Sequence, residues 1–257
     1  MTVADEPSVP PHVLTTFGLM GHQRRLPGGM GTSVLIGDVV LKPAGDDAEA
    51  QWLAELQQTI APAGIRVPRP IGTADGRRIV EGWTASPYLP GQHERGRWAE
   101  TIEAGRRLHE ALARLPRPDF LDARDHRWAH ADRVAWGEAD VDLGHGSSSR
   151  PDPLDLPRQL VHCDLAGNVL FHPSAPPAVL DLSLYWRPPA YADAIVVVDA
   201  LLWYGAADDV LDLVDHPDAR QLLNRALTFR LACELHPDHQ GDRTPPETWR
   251  RVAALID

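Results

Sequence analysis

Asp164, Asn168 and Asp181 fall in one short stretch, residues 160–181, LVHCDLAGNVLFHPSAPPAVLD. Two carboxylates and an amide offer hard oxygen donors, the kind Mg²⁺ takes together with phosphate oxygens. Asp164 has a further use: a carboxylate within reach of an attacking alcohol serves as a general base or an orienting acceptor, which leaves Asn168 and Asp181 for the metal. His162, two residues earlier, reads as a core histidine that pins the loop. Upstream stands Lys42, the only lysine in a chain whose other basic residues are all arginine, and Asn168 is itself one of only two asparagines. A lysine that contacts nucleotide phosphates needs a fixed ammonium, and a helix carboxylate such as Glu49 would fix it. Glu55 is a rival partner. The plain alternative is a surface lysine and a glutamate favoured by the dipole of a helix start. Gly28, Gly29 and Gly31, in the run PGGMGT that ends on Thr32, would let backbone N–H groups approach a phosphate. A glycine turn between strands has the same composition. No Gly-Lys-Ser/Thr follows, so the run is not a Walker A motif.

Elements that would position these residues can be read from periodicity. Residues 33–36 and 39–42 are β-rich and separated by Gly37-Asp38, a two-residue hairpin signal; Lys42 closes the second strand. Asp46 or Asp47 caps a helix to about residue 59, with Trp52, Leu53, Leu56 and Ile60 at helical spacing. Residues 65–71 read as extended, 77–83 as a strand, and 86–91, SPYLPG, as an irregular connector. Residues 97–115 form an amphipathic helix, ended by Pro116 and Pro118. Residues 120–141 read as one helix, and 144–153, GHGSSSRPDP, as a flexible loop. Apolar runs at 169–171 and 178–180, joined by a Pro-rich turn over 172–177, predict a hairpin that carries Asn168 before its first strand and Asp181 after its second. Helices follow over 193–204, 210–214, 220–235 and 248–256. The order predicts an α+β protein: a small β-rich lobe over residues 1–90, then a mostly helical lobe over 91–257 with one embedded hairpin.

The 257 residues carry 25 basic and 36 acidic side chains, a formal net charge of −11. That balance disfavours general nucleic-acid binding, which needs a basic face, and tolerates a cationic substrate. The two cysteines make neither a metal-ligand spacing nor a disulfide framework and fit a reducing, cytoplasmic setting. The start MTVADEPSVPP lacks the basic and apolar regions of a signal peptide, and the most apolar stretch, 194–207, is too short to span a bilayer, so no membrane partner is expected. A monomer or homodimer is expected. A reading that uses His126, His130, His145, His162 and His172 as transition-metal ligands in a hydrolase finds no matching zinc spacing.

The order of these features resembles the protein-kinase-like fold: glycine loop, strand lysine, helix glutamate, connector, helical lobe, His-x-Asp, Asn, hairpin, Asp. More closely, the run His162-Cys163-Asp164-Leu165-Ala166-Gly167-Asn168-Val169-Leu170 resembles the catalytic loop of the aminoglycoside phosphotransferase branch. Further likeness lies in VPRPIG at 67–72, Tyr88-Leu89-Pro90-Gly91 and Arg106-Arg107-Leu108-His109; the whole covers residues 20–205. The resemblance implies a bilobal fold and an ATP- and Mg²⁺-dependent phosphotransferase acting on the hydroxyl of a small molecule. A catalytically silent, nucleotide-binding relative working through a partner is the alternative. It implies that Lys42 contacts the ATP phosphates beside the glycine loop and Thr32, and that Glu49 holds Lys42. Ser86, Tyr88 and Leu89 would lie against the adenine, Asp164 would be the catalytic carboxylate, and Asn168 and Asp181 would be Mg²⁺ ligands. This chain departs from the pattern in three places: the Asp164–Asn168 interval is one residue short, Cys163 stands where glycine is usual, and no aromatic follows Asp181.

Overall fold

The computed structural model describes residues 8–27, 31–140 and 152–257; Gly28 and Gly29 lie outside the described residues, as does most of the 144–153 segment. The chain forms two units. The first runs to His93 and also takes in Gly167–Leu182; the second comprises Glu94–Ala166 and Ser183–Asp257.

In the first unit, a short helix α1 (Pro11–Thr16) precedes strands β1 (Arg24–Arg25), β2 (Val34–Ile36) and β3 (Val39–Pro43). Helix α2 (Asp47–Thr59) follows, then β4 (Ile79–Val80) and β5 (Trp83–Pro87). The five strands make one antiparallel sheet in the order β1-β2-β3-β5-β4. Gly37, at φ +59, makes the tight turn between β2 and β3. Val34, Ile36, Val39, Leu41 and Ala85 pack with Val13, Leu14 and Phe17 of and just after α1. Alternation along β3 buries Val39 and Leu41, and so turns Lys42 to the opposite face, opposite Thr84 in the register. Ser86 therefore stands inside β5, paired with Val40, rather than in the connector that the sequence predicts.

The second unit begins with α3 (Trp98–Leu112), followed by α4 (Phe120–Ala123) and α5 (Arg127–Ala135). The single helix expected over 120–141 is thus two. Arg124 is extended, and the His126 ring accepts the Ala129 N–H at 3.1 Å, which starts α5 afresh. Strand β6 (Gln159–His162) carries the chain to Asp164. The hairpin of β7 (Val169–His172) and β8 (Ala175–Val179) belongs to the first unit, and β9 (Leu184–Arg187) returns to pair with β6. Helix α6 (Pro189–Trp203) is buried on every side from Tyr191 to Leu202, as its apolar sequence requires. A 3₁₀ helix (Asp208–Leu213), α7 (Ala219–Leu235) and α8 (Pro246–Ile256) complete the unit.

The hairpin is narrower at its tip than the sequence suggests, because Pro176 and Pro177 lie within β8. Proline cannot donate to a ladder. Here a register shift between Leu170 and His172 absorbs the mismatch, and the proline carbonyls are spent on Arg66. The Arg66 N–H donates to Pro177 O at 2.8 Å, its carbonyl accepts the Val179 N–H at 2.9 Å, and its guanidinium donates to Pro176 O and Pro90 O. The other edge is held by Gln92 and Phe171, whose backbones exchange two hydrogen bonds of 2.9 Å. Gly91 makes this approach possible. It sits at φ +153, and a Cβ there would lie 2.9 Å from Leu170 Cβ and 3.0 Å from Phe171 O. Both the backbone region and the space exclude a side chain. Gly91→Ala should therefore lower stability by at least about 2 kcal/mol in urea titrations, whereas Gly96→Ala, with open space around its Cβ position, should lose less.

Candidate functional site

In the first unit, the structure brings Lys42 and Asp181 together: the Lys42 ammonium donates to Asp181 Oδ1. The two residues are 139 positions apart, and the hairpin's attachment to Arg66 and Gln92 is what closes that distance. Asp181 adopts φ +45, one of two non-glycine residues with positive φ among the described residues. Asp tolerates this left-handed conformation better than most residues, yet such a residue persists only where its surroundings hold it. Asn168 lies across the same hairpin end, its carbonyl accepting the Leu180 N–H at 2.8 Å. Asn168 therefore stands across the hairpin mouth from Leu180, the residue before Asp181.

Glu49 is in the first turn of α2, where Asp46 caps the helix by accepting the Ala48 and Glu49 N–H groups at 3.0 Å each. Gly31 takes φ +65, and its carbonyl accepts from the Arg25 guanidinium. Thr32 follows it into β2, and the flanks of the glycine run are paired strands, Arg25 opposite Val34. The Tyr88 N–H donates to Asp38 O at 2.7 Å and its ring is exposed; Leu89 is half-buried.

Asp164 belongs to the second unit, in the loop after β6. Four contacts shape that loop. The buried His162 ring accepts the Asp164 N–H at 3.1 Å through Nδ1. The His162 N–H donates to Nε2 of His109, on α3, at 2.9 Å. Leu165 is wholly buried against Gly105 of α3, where a Cβ would come within 2.4 Å of its Cδ1. The Cys163 N–H donates to Ser183 O at 3.0 Å, and its own buried thiol is pushed up in pKa by desolvation, so it stays protonated.

Sequence reasoning misses the most heavily charged part of this neighbourhood. Arg230, on α7, donates from Nη2 to Asp164 Oδ1 at 2.9 Å. The same guanidinium grips Asp199 of α6 with two bonds, Nε to Oδ1 at 2.7 Å and Nη2 to Oδ2 at 2.5 Å. Burial pushes Asp199 up to about 6 against the pull of Arg230. Burial would lower Arg230, but Asp199 and Asp164 outweigh it and hold its pKa well above the ordinary value. No local signal marks Arg230 out in a chain whose basic residues are almost all arginine. Among the described residues no group of three His, Cys, Asp or Glu side chains could hold a metal, so the histidine-ligand reading has no site there. No helix among them is long and apolar enough to cross a membrane.

A model of the phosphotransferase enzyme family matches residues 32–230, which span Lys42, Asp164, Asn168 and Asp181. Among solved structures, a choline/ethanolamine kinase family protein from Mesorhizobium loti is 19% identical, with 98% of this chain and 92% of that one covered and a TM-score of 0.62. An aminoglycoside phosphotransferase from Alicyclobacillus acidocaldarius is 14% identical over 99% of this chain and 92% of its own, with a TM-score of 0.59. No curated protein sequence matches.

His109 supplies a pH test of the loop's support. Burial, with a smaller push from His162, lowers its pKa to about 3, so it is neutral when folded. An unfolded histidine titrates near 6.5. Below about pH 6.5 the unfolded chain takes up a proton that the folded one refuses, so stability is lost as pH falls from there towards 3. His109→Gln keeps an acceptor for the His162 N–H and removes the titration. Urea unfolding should show the wild type losing about 2 kcal/mol more than this variant between pH 7.5 and pH 5.

Proposed function

Because this chain belongs to the phosphotransferase enzyme family and has its protein-kinase-like α+β fold, we propose that it is an ATP- and Mg²⁺-dependent kinase of a small-molecule hydroxyl. The observation that carries the reading is the Lys42–Asp181 ion pair, which joins the chain's only lysine to a strained aspartate at the hairpin mouth. With the two side chains 31% and 42% exposed, such a pair is worth only about 0–1 kcal/mol. A nucleotide can therefore separate it at small cost, taking the ammonium onto its phosphates and leaving the carboxylate to a metal ion. The donor set fits Mg²⁺: Asp181 and Asn168 offer only oxygens of the hard type, and Asp181 already holds a cation. Mg²⁺, when bound, would neutralise charge on the phosphate oxygens.

In this reading Gly28, Gly29, Gly31 and Thr32 line the phosphate loop, Glu49 steadies Lys42, and Ser86, Tyr88 and Leu89 border the adenine. Asp164 orients the acceptor hydroxyl and receives its proton as the new O–P bond forms, while the bond from the γ-phosphorus to ADP breaks and ADP leaves. Phosphoryl transfer asks mainly for positioning, which Asp164 would supply for the acceptor, and for charge neutralisation, which Lys42 and the metal ion would supply for the phosphates. The acceptor is a small alcohol, and the net charge of −11 suits a cationic one. Asp164→Asn should lower ADP formation about 10³-fold and leave the thermal stabilisation by Mg-ATP in place. Undiminished turnover in that variant would remove Asp164 from the chemistry. Stabilisation by Mg-ATP with no ADP formed across a panel of alcohols would favour the silent nucleotide-binding alternative.

A further inference from the structure

Arg230 is the feature that the proposed roles do not account for. Its side chain is 6% exposed, while Asp164, which it reaches, is 47% exposed. A buried guanidinium needs an anion, and Asp199 alone meets that need with a two-point grip. That grip fixes the plane of the guanidinium, because the fork of Arg matches a carboxylate in one geometry. Phe229 and Trp203 hold it from the sides, with its central carbon 5.0 and 5.4 Å from their ring centroids. The third bond, to Asp164 Oδ1, leaves this rigid group for a half-exposed carboxylate. Such a contact has little to give to folding, since Asp164 could take its hydrogen bonds from water. It has much to give to orientation.

We propose that Arg230 is a positioning residue for the reaction: seated on Asp199, it fixes the rotamer of Asp164 and so aims the carboxylate at the acceptor hydroxyl. This rests on the reading of Asp164 as the carboxylate that meets the acceptor. It makes a pair of elements distant in sequence, α6 and α7, part of the catalytic geometry. Lysine cannot take the place, because a point charge would not hold both carboxylates in one plane.

The test uses ADP release from Mg-ATP with water as the acceptor, measured on Asp164→Asn, Arg230→Lys, Arg230→Met and the double variant Arg230→Met with Asp199→Leu. The double variant removes both buried charges together and keeps the fold independent of the ion pair. The expected result is a kcat about 10²-fold down in the double variant, with wild-type melting temperature and wild-type KM for Mg-ATP, and a partial loss in Arg230→Lys. If the double variant and Arg230→Lys keep wild-type kcat while Asp164→Asn loses it, Arg230 is structural only and the inference is overturned. If Asp164→Asn itself keeps wild-type kcat, the kinase reading of Asp164 fails and the inference fails with it.

Discussion

The backbone clamp on the β7–β8 hairpin is the constraint from which the candidate phosphate site follows. Arg66 on one edge and Gln92 on the other supply four backbone hydrogen bonds, and the Arg66 guanidinium adds one to Pro176 O while its second bond reaches Pro90 O. Together they carry residues 167–182 into the unit that holds Lys42. The Lys42–Asp181 pair does not hold the hairpin; it reports where the hairpin is. Half-exposed charges are too weak to organise a fold, whereas a strand edge fixed on both sides is not. Placing the lysine and the aspartate by backbone leaves their side chains able to exchange partners, which a phosphate site requires.

The second unit solves a different problem, the burial of charge in an apolar setting. Arg230 is held between Asp199 and Asp164, and Arg187 between Asp132 and Glu138 with bonds of 2.6 and 2.7 Å. Buried ions of this kind add little net stability over apolar substitutes, but breaking one is costly, so each group is confined to a single geometry. The buried and otherwise largely apolar α6 makes this possible by packing against α7, so that its Asp199 and Arg230 meet with water excluded. Stiffness is the gain, and in the proposed role of Asp164 stiffness would have a chemical use.

Much of this was legible in the sequence because it is local. The Gly37-Asp38 turn signal places Lys42 at the end of a strand, Asp46 or Asp47 stands at the start of α2, and the spacing of Asp164, Asn168 and Asp181 around two apolar runs draws the hairpin. The illegible parts depend on distance or competition. Arg230 meets residues 31 and 66 positions away, and nothing in its neighbours signals that. Pro176 and Pro177 look like a turn by composition, yet their carbonyls pair with Arg66, a partner 110 positions upstream. The break between α4 and α5 turns on a histidine used as a cap, a role more often taken by Ser, Thr, Asp or Asn. The hairpin's grouping with the first unit follows from Gly91, whose missing side chain is visible in the sequence but whose contact is not.

The central claim is that Lys42 leaves Asp181 for the phosphates of a nucleotide. Since Lys42 is the only lysine, a lysine-directed acylating reagent reports on it alone once the N-terminal amine is separated by peptide mass spectrometry. The rate of Lys42 modification should fall at least tenfold on adding Mg-ATP, in proportion to its occupancy, and should be unaffected by adenosine, which has no phosphates. Equal rates with and without saturating Mg-ATP would contradict the account.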